Sequence, residues 1–378
     1  MHFKKKKFTF VKVKLGIMRH LKHIFLSFII VYQAFAAEDP RELFKFAKFK
    51  FDKSEYTEAL DYLNQTISID PKYSNAFLLR AEVYYNLKKF QLTIEDVDKA
   101  LAIDTAYNSF LNKYIILKAK SYIALNDYAK AENVFSKLLS KDDYNAEAHY
   151  ELANLQFIQD KPVDAILSVT KSIKIEPKNG TYYATRAYFT EKAYTVFPGD
   201  KNYQKINEDY NLAIYFEPGN YELYKMRSEF KRKMGQEVDA LTDYNKMIEI
   251  SPSQNYAYTE RGVLKMHKEN YTGAITDFNS SLEIDPQNAS GFKYRGLCYH
   301  NMRKYYDAYQ DFTKSIDILN GSGNGEESIK NQIAQTYLMR GHSLYAMGKG
   351  SEACVDFLKA LDLGERKGLN YFRKYCRY

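Results

Sequence analysis

A small residue returns along this chain at a period of 34, and few folds satisfy that constraint. Ala47, Ala81, Ala119, Ala153, Ala187, Ser228, Gly262, Gly296 and Gly341 lie 34, 38, 34, 34, 41, 34, 34 and 45 residues apart. Residues 255–288 show what one period contains. Tyr258, Gly262, Val263 and Met266 recur at three- and four-residue intervals, which places them on one face of a helix. Glu269 and Asn270 interrupt that stripe. Ala274, Ile275, Phe278, Leu282 and Ile284 resume it as far as Pro286, whose ring and missing N–H stop a helix. Each period is therefore a helical hairpin. A hairpin this small cannot bury its apolar stripe alone, so neighbouring copies must stack on it.

The second helix carries its own register. A marker recurs as Ala59, Thr93, Ala131, Ala165, Ile206, Ala240, Ala274, Ala308 and Ala353, and four residues on a bulky one as Leu63, Val97, Phe135, Val169, Tyr210, Tyr244, Phe278, Phe312 and Phe357. Pro71, Pro177, Pro218, Pro252 and Pro286 stand at the same exit point. These markers resemble the tetratricopeptide-repeat (TPR) family, as nine repeats over residues 40–365. The resemblance implies an all-α fold, a right-handed superhelical solenoid of nine helix hairpins closed by a C-terminal capping helix at 366–378. The match is not uniform. The family's first large residue is often Trp, whereas here it is Leu43, Phe77, Ile115, His149, Tyr183, Tyr224, Tyr258, Phe292 and Tyr337. Repeats three, eight and nine have Asp143, Asn320 and Glu365 in place of the exit proline. The Ala-Cys-Val-Asp-Phe stretch and the Lys-Tyr-Cys tail also resemble secreted repeat proteins of the Bacteroidota.

Three insertions break the period. Four extra residues near Thr105–Leu111 amount to about one helical turn and predict a longer helix. Seven extra in repeat five, around Val196-Phe197-Pro198-Gly199-Asp200, predict both helices longer by about a turn with a projecting Pro-Gly turn. Eleven extra around 319–328 are rich in Gly, Ser and Asn and predict a flexible loop on which the ninth repeat swings.

The charge balance is uneven along the chain. Lys and Arg number 55 against 47 Asp and Glu, but eight of the cations lie in residues 1–36, which contain no acid. The remainder is balanced and lacks the positive excess that phosphate binding needs, which argues against nucleic acid as a partner. The leader instead has the order of a secretory signal: a basic start, an apolar run from His23 to Tyr32, and Ala34-Phe35-Ala36. We expect cleavage after Ala36 and a periplasmic or secreted mature chain, with membrane contact only in transit; uncleaved, the same run would be an anchor. Met18 is an alternative start, because the signal is complete from there. No Cys lies near the cut to carry a lipid.

Because repeats align with one another, covariation is visible inside the chain. Arg80, Arg186, Arg227, Arg261, Arg295 and Arg340 immediately precede the small residue in six repeats, and those six have Asp96, Asp209, Asp243, Asp277, Asp311 and Asp356 in the second helix. The other three have Tyr62, Val134 and Ser168 at the acid's place. This predicts a bidentate Arg–Asp pair between the two helices of each hairpin.

No phosphate-cradling glycine loop, HExxH, CxxC or nucleophile elbow occurs, so no enzyme chemistry, cofactor or metal is expected. Cys354 and Cys376 are symmetric about the turn at residue 365. Antiparallel packing of the last helices would bring them together, either as a disulfide in an oxidising compartment or as two buried thiols. Cys298 reads as a small core residue. His267, His300 and His342 recur on the first helices of repeats seven to nine, as groove polar residues or, with no partner ligand at fixed spacing, less readily as a metal or pH-sensing site.

In TPR proteins the first helices line a concave groove that holds extended peptides or helices. Carried onto this chain, the resemblance implies an inward set of Phe51, Tyr85, Lys120, Tyr150, Asn154, Phe157, Tyr188, Lys225, Arg232, Lys233, Tyr256, Met266, His267, Lys293, His300, His342 and Tyr345. Rings with a few cations suit a peptide surface; each ring could equally pack between repeats. The family's clamp for a chaperone's acidic terminus is absent, since Asn154 follows Tyr150 where that clamp has Lys. The expectation is a non-catalytic interaction scaffold with a protein or peptide partner. The alternative is an envelope glycan or small-ligand binder using the same aromatic groove.

Overall fold

The computed structural model describes residues 39–104, 109–321 and 326–376, which are helices joined by short turns, with no strand among them. The leader and its cleavage point lie outside the described residues. The chain divides into two compact units at Pro177 and Lys178. In the first, four hairpins pair Pro40–Asp52 (α1) with Tyr56–Ile69 (α2), Ser74–Asn86 (α3) with Phe90–Ile103 (α4), Ser109–Ala124 (α5) with Tyr128–Leu139 (α6), and Ala146–Ile158 (α7) with Pro162–Ile175 (α8). In the second, five hairpins pair Gly180–Ala193 (α9) with Lys201–Phe216 (α10), Tyr221–Lys233 (α11) with Glu237–Ile250 (α12), Asn255–His267 (α13) with Tyr271–Ile284 (α14), Ala289–Asn301 (α15) with Tyr305–Gly321 (α16), and Glu327–Ala346 (α17) with Gly350–Asp362 (α18). Lys367–Tyr375 (α19) follows as the cap.

The small residue is small because of what it meets. A Cβ on Gly262 would lie 2.7 Å from the Phe278 ring, and one on Gly341 would lie 2.7 Å from Phe357. The bulky residue of the second helix thus lies directly on the small residue of the first. Phe135, Phe278, Phe312 and Phe357 are fully buried in this way, each contributing about 2–3 kcal/mol of transfer free energy. The turn between the helices is equally regular. The residue seven places after the small one has positive φ in eight hairpins, as Ser54, Lys88, Asn126, Asp160, Glu269 and Arg303 at 58–61° and as Gly235 and Gly348 in two more. This left-handed residue ends the first helix. In 255–288 the Glu269 and Asn270 amides turn back to the Met266 and Lys265 carbonyls, and the Asn270 side chain caps α14 by accepting from the Gly273 amide at 3.0 Å.

Within each unit, first helices of successive hairpins touch one another, as α3 does with α5 and α13 with α15, while successive second helices approach less closely. The first helices therefore form the crowded inner row of each unit.

The insertions do not all behave as expected. In repeat three, Thr105–Asn108 lie outside the described residues, and α5 has 16 residues where most first helices have 13. In repeat five the two helices have 14 and 16 residues, so the seven extra residues mostly form the 194–200 connection instead of two added turns. Asp200 fixes that connection by accepting from the Phe197 and Tyr203 amides at 2.9 and 2.6 Å. Of the expected flexible loop at 319–328, residues 322–325 lie outside the described residues; on either side α16 runs to Gly321 and α17 starts at Glu327 with 20 residues, so the flanks of the insertion are helix. Leu319, Ile316 and Ile333 pack together across the junction and hold the ninth hairpin on the eighth.

Candidate functional site

The inner row is held by a charge lattice. All six Arg–Asp pairs form, each bidentate. Nε and Nη2 of Arg80 donate to Asp96 at 2.6 and 2.9 Å, of Arg186 to Asp209 at 2.9 and 2.7 Å, and of Arg261 to Asp277 at 3.0 and 2.7 Å. Arg227–Asp243, Arg295–Asp311 and Arg340–Asp356 repeat the geometry. The carboxylates are buried, at most 6 % exposed. Two further contacts were not read from the sequence. The third guanidinium nitrogen reaches back to the preceding hairpin's second helix, where Arg80, Arg227, Arg261 and Arg295 donate to Asn64, Asn211, Asn245 and Asn279 at 2.6–2.8 Å, and Arg340 to Thr313 at 3.1 Å. Each guanidinium also lies 5.1–5.7 Å from the ring three residues before it: Phe77, Tyr183, Tyr224, Tyr258, Phe292 or Tyr337. The signal was available, because the three repeats without the Arg have Leu43, Ile115 and His149 there. In repeat three Lys118 stands in for the Arg and pairs with Asp98 of the preceding hairpin.

The residues expected to line a groove fall into two groups. Several are taken up by the fold. Met266 is 7 % exposed and packs with Ala274, Phe278 and Cys298, so it is core, not groove. Phe51 and Tyr85 lie against Tyr56 and Phe90 of their own hairpins, and His300 bonds Ser343 at 2.9 Å. His342 and Tyr345 lie against α19, whose Tyr371 and Tyr375 rings stand 4.2 and 4.4 Å from them, with Tyr345 still exposed. Burial lowers the pKa of both His300 and His342. Lys293 is 9 % exposed, and burial lowers its pKa as well.

The others remain on the inner row. In the first unit, Lys120 pairs with Glu151 at 2.8 Å, and Asn154 donates to the same carboxylate at 3.3 Å, beside half-buried Tyr150 and Phe157. Burial opposes the Lys120 charge, but Glu151 outweighs it and raises the pKa. In the second unit, Tyr256 donates to Glu229 at 2.8 Å, and Lys225 lies 5.2 Å from the Tyr256 ring. Arg232 faces Glu260 at 3.4 Å, and Lys233 bonds Glu191 at 2.7 Å. Burial raises the Glu260 pKa and, assisted by the Glu229 bond, that of Tyr256. His267 is exposed, 3.7 Å from Glu237. Tyr188 borders a cleft of about 650 Å³ together with Glu191, Lys192, Tyr210, Met226, Glu229, Phe230, Arg232 and Lys233. Glu191, Glu229 and Glu260 escaped the sequence reading, because no motif marks an acid on a helix face; Tyr210 was read only as a packing marker.

A disulfide joins Cys354 of α18 to Cys376 at the end of α19, with Cα atoms 5.8 Å apart. Gly368 allows that approach, since a Cβ there would lie 2.5 Å from the Phe357 carbonyl oxygen. Cys298 is fully buried, and its thiol is pushed up to about 12 by burial. Among the described residues no group of three His, Cys, Asp or Glu side chains is placed to hold a metal. No described helix is long and apolar enough to cross a membrane.

Residues 116–179 and 256–288 match sequence models of the tetratricopeptide repeat. A DnaJ homolog subfamily C member 7 homolog of Schizosaccharomyces pombe is 25 % identical over 171 residues, 43 % of this chain and 35 % of that protein. A DnaJ protein P58IPK homolog B of Oryza sativa subsp. japonica is 22 % identical over 256 residues, 54 % of each. The chain thus spans about half the length of these curated relatives or less. Among solved structures, a tetratricopeptide repeat protein from Parabacteroides merdae is 20 % identical, with a TM-score of 0.46 over 70 % of this chain and 98 % of the other. Yeast Tom70 is 13 % identical, with a TM-score of 0.43 over 89 % of both. The chain is thus an all-α protein of repeated helical hairpins, two segments of which match the tetratricopeptide repeat.

Proposed function

We propose that the protein is a non-catalytic scaffold for protein–protein interaction, working outside the cytoplasm, that takes an extended peptide or a helix along the inner row of its first helices. Tetratricopeptide-repeat proteins generally mediate protein–protein interactions. The observation that carries the finer reading is the open 650 Å³ cleft on the second unit's inner row, where rings and charged groups converge. The first unit offers Lys120, Asn154, Tyr150 and Phe157 on its own inner row. A photo-crosslinking amino acid placed at Tyr188 or Phe157 should capture a partner in native cells. The same residue at Leu167 or Tyr215, exposed on second helices, should not. Equal capture of one partner from both sets would overturn the groove reading. The extracytoplasmic location rests on the leader; it requires the purified mature chain to begin at Ala37, and an intact leader on chain recovered from the cytoplasm would refute it.

A further inference from the structure

We propose that the cleft between the fifth and sixth repeats receives a cationic side chain of the partner, a guanidinium or an alkylammonium, between the Glu229 carboxylate and the Tyr210 hydroxyl. This rests on the peptide-binding reading above and names what the peptide must carry. Tyr210 is 1 % exposed and lines the cleft, yet its hydroxyl makes no hydrogen bond with any described residue. Facing the cleft without a protein partner, this hydroxyl is free to bond a group that arrives there. Glu229 is exposed and accepts only the Tyr256 hydroxyl, with no cation within 4 Å among the described residues. The three cations that line the cleft are engaged elsewhere: Lys233 is bonded to Glu191, Arg232 is turned to Glu260, and Lys192 lies by the Tyr188 ring.

The walls agree with the rim. Phe230 stacks with Tyr203 at 5.7 Å and lies 5.8 Å from Tyr210, so rings set one side of the cleft. Aromatic faces attract cations, and they already do so nearby, where Lys192 lies 5.4 Å from the Tyr188 ring. The electrostatic field at the Tyr210 hydroxyl is negative: beyond burial itself, Glu191 and Glu229 both raise its pKa. An anionic side chain would meet that field as repulsion. A neutral one would leave Glu229 uncompensated. A cation donating N–H bonds to Glu229 and Tyr210 satisfies both acceptors.

The test uses the full chain labelled with 3-fluorotyrosine, with Tyr210→Phe identifying its resonance. Butylguanidinium should move that resonance saturably, and neutral butylurea should not. Glu229→Gln, an exposed position that keeps the Tyr256 acceptor, should weaken binding about tenfold. Equal binding of butylurea, no effect of Glu229→Gln, or no saturation would each overturn the proposal. Labelled pentapeptides with central Arg, Lys or citrulline, followed by anisotropy, separate the two cations and isolate the underlying reading. If the guanidinium probe binds but no peptide binds more tightly, the cleft stands and the peptide groove falls. If partners crosslink to the inner row while the three peptides bind alike, the groove stands and the cation site falls.

Discussion

Removing one guanidinium from the lattice tests whether the lattice organises the fold. Arg295→Met leaves Asp311, 6 % exposed, without its partner, and also removes the bond to Asn279 and the stacking on Phe292. Burial already holds the Asp311 carboxyl above its usual range despite Arg295, so an uncompensated charge there is costly. Breaking a buried pair from one side costs about 3–5 kcal/mol. We expect about 3 kcal/mol, because Met loses the cation but keeps apolar packing on the Phe292 ring. Asp311→Leu should cost a similar amount by stranding Arg295. The double variant should cost less than either single change, since two apolar groups of similar volume need no compensation. Arg261→Met supplies an internal control: Lys265 lies 2.8 Å from Asp277 and stays behind, so the loss should be about half. Whole-chain denaturation of a repeat array is not two-state, so the assay is native-state hydrogen exchange of the α13–α16 amides. Additive losses in the double variant, or equal losses at Arg261 and Arg295, would refute the reasoning.

Other outcomes follow from the same geometry. Thiol counting in the unfolded, unreduced chain should find one free thiol, that of Cys298, and reduction should raise exchange in α19 by an amount equivalent to about 3 kcal/mol for a loop of this length; three thiols would show the bridge absent. His342 has a folded pKa below 6.5, through burial and then the charges of His300 and Lys374. Its contribution to stability is therefore complete above 6.5 and is lost as pH falls below it toward the folded value. Exchange of α19, corrected for intrinsic rates, should rise between pH 7.5 and 5.5, and His342→Gln should flatten that rise. Arg303 has φ 60°, so Arg303→Gly should stabilise the eighth hairpin by about 0.5–1 kcal/mol in the same exchange measurement; destabilisation would mean the arginine side chain matters more than its backbone strain.

Much of this protein was legible before any coordinates. The period of 34, the small residue and its bulky partner sixteen positions on in most repeats report local and nearest-neighbour contacts, and those repeat with the sequence. The Arg–Asp pairs were legible for the same reason, as nine copies in one chain serve as their own alignment. The left-handed turn residue was not, since only two of eight positions carry glycine and the other six reveal nothing by type.

What tertiary structure alone decided lies where a residue's surroundings come from more than one hairpin. Gly-Ser-Asn composition at 319–328 gave no sign that helices on either side would reach Gly321 and begin at Glu327, where Leu319 and Ile333 meet across them. Met266, expected to face a partner, is closed over by Phe278 and Cys298. His342 lies under a cap whose position depends on Gly368 and Cys376. The cleft at Tyr210 joins side chains of three helices, and apart from Tyr210 none of them is a repeat marker. Local sequence fixes helix, turn and hairpin through short-range sterics and hydrogen bonds; exposure is a sum over neighbours, and only the stacked hairpins supply it.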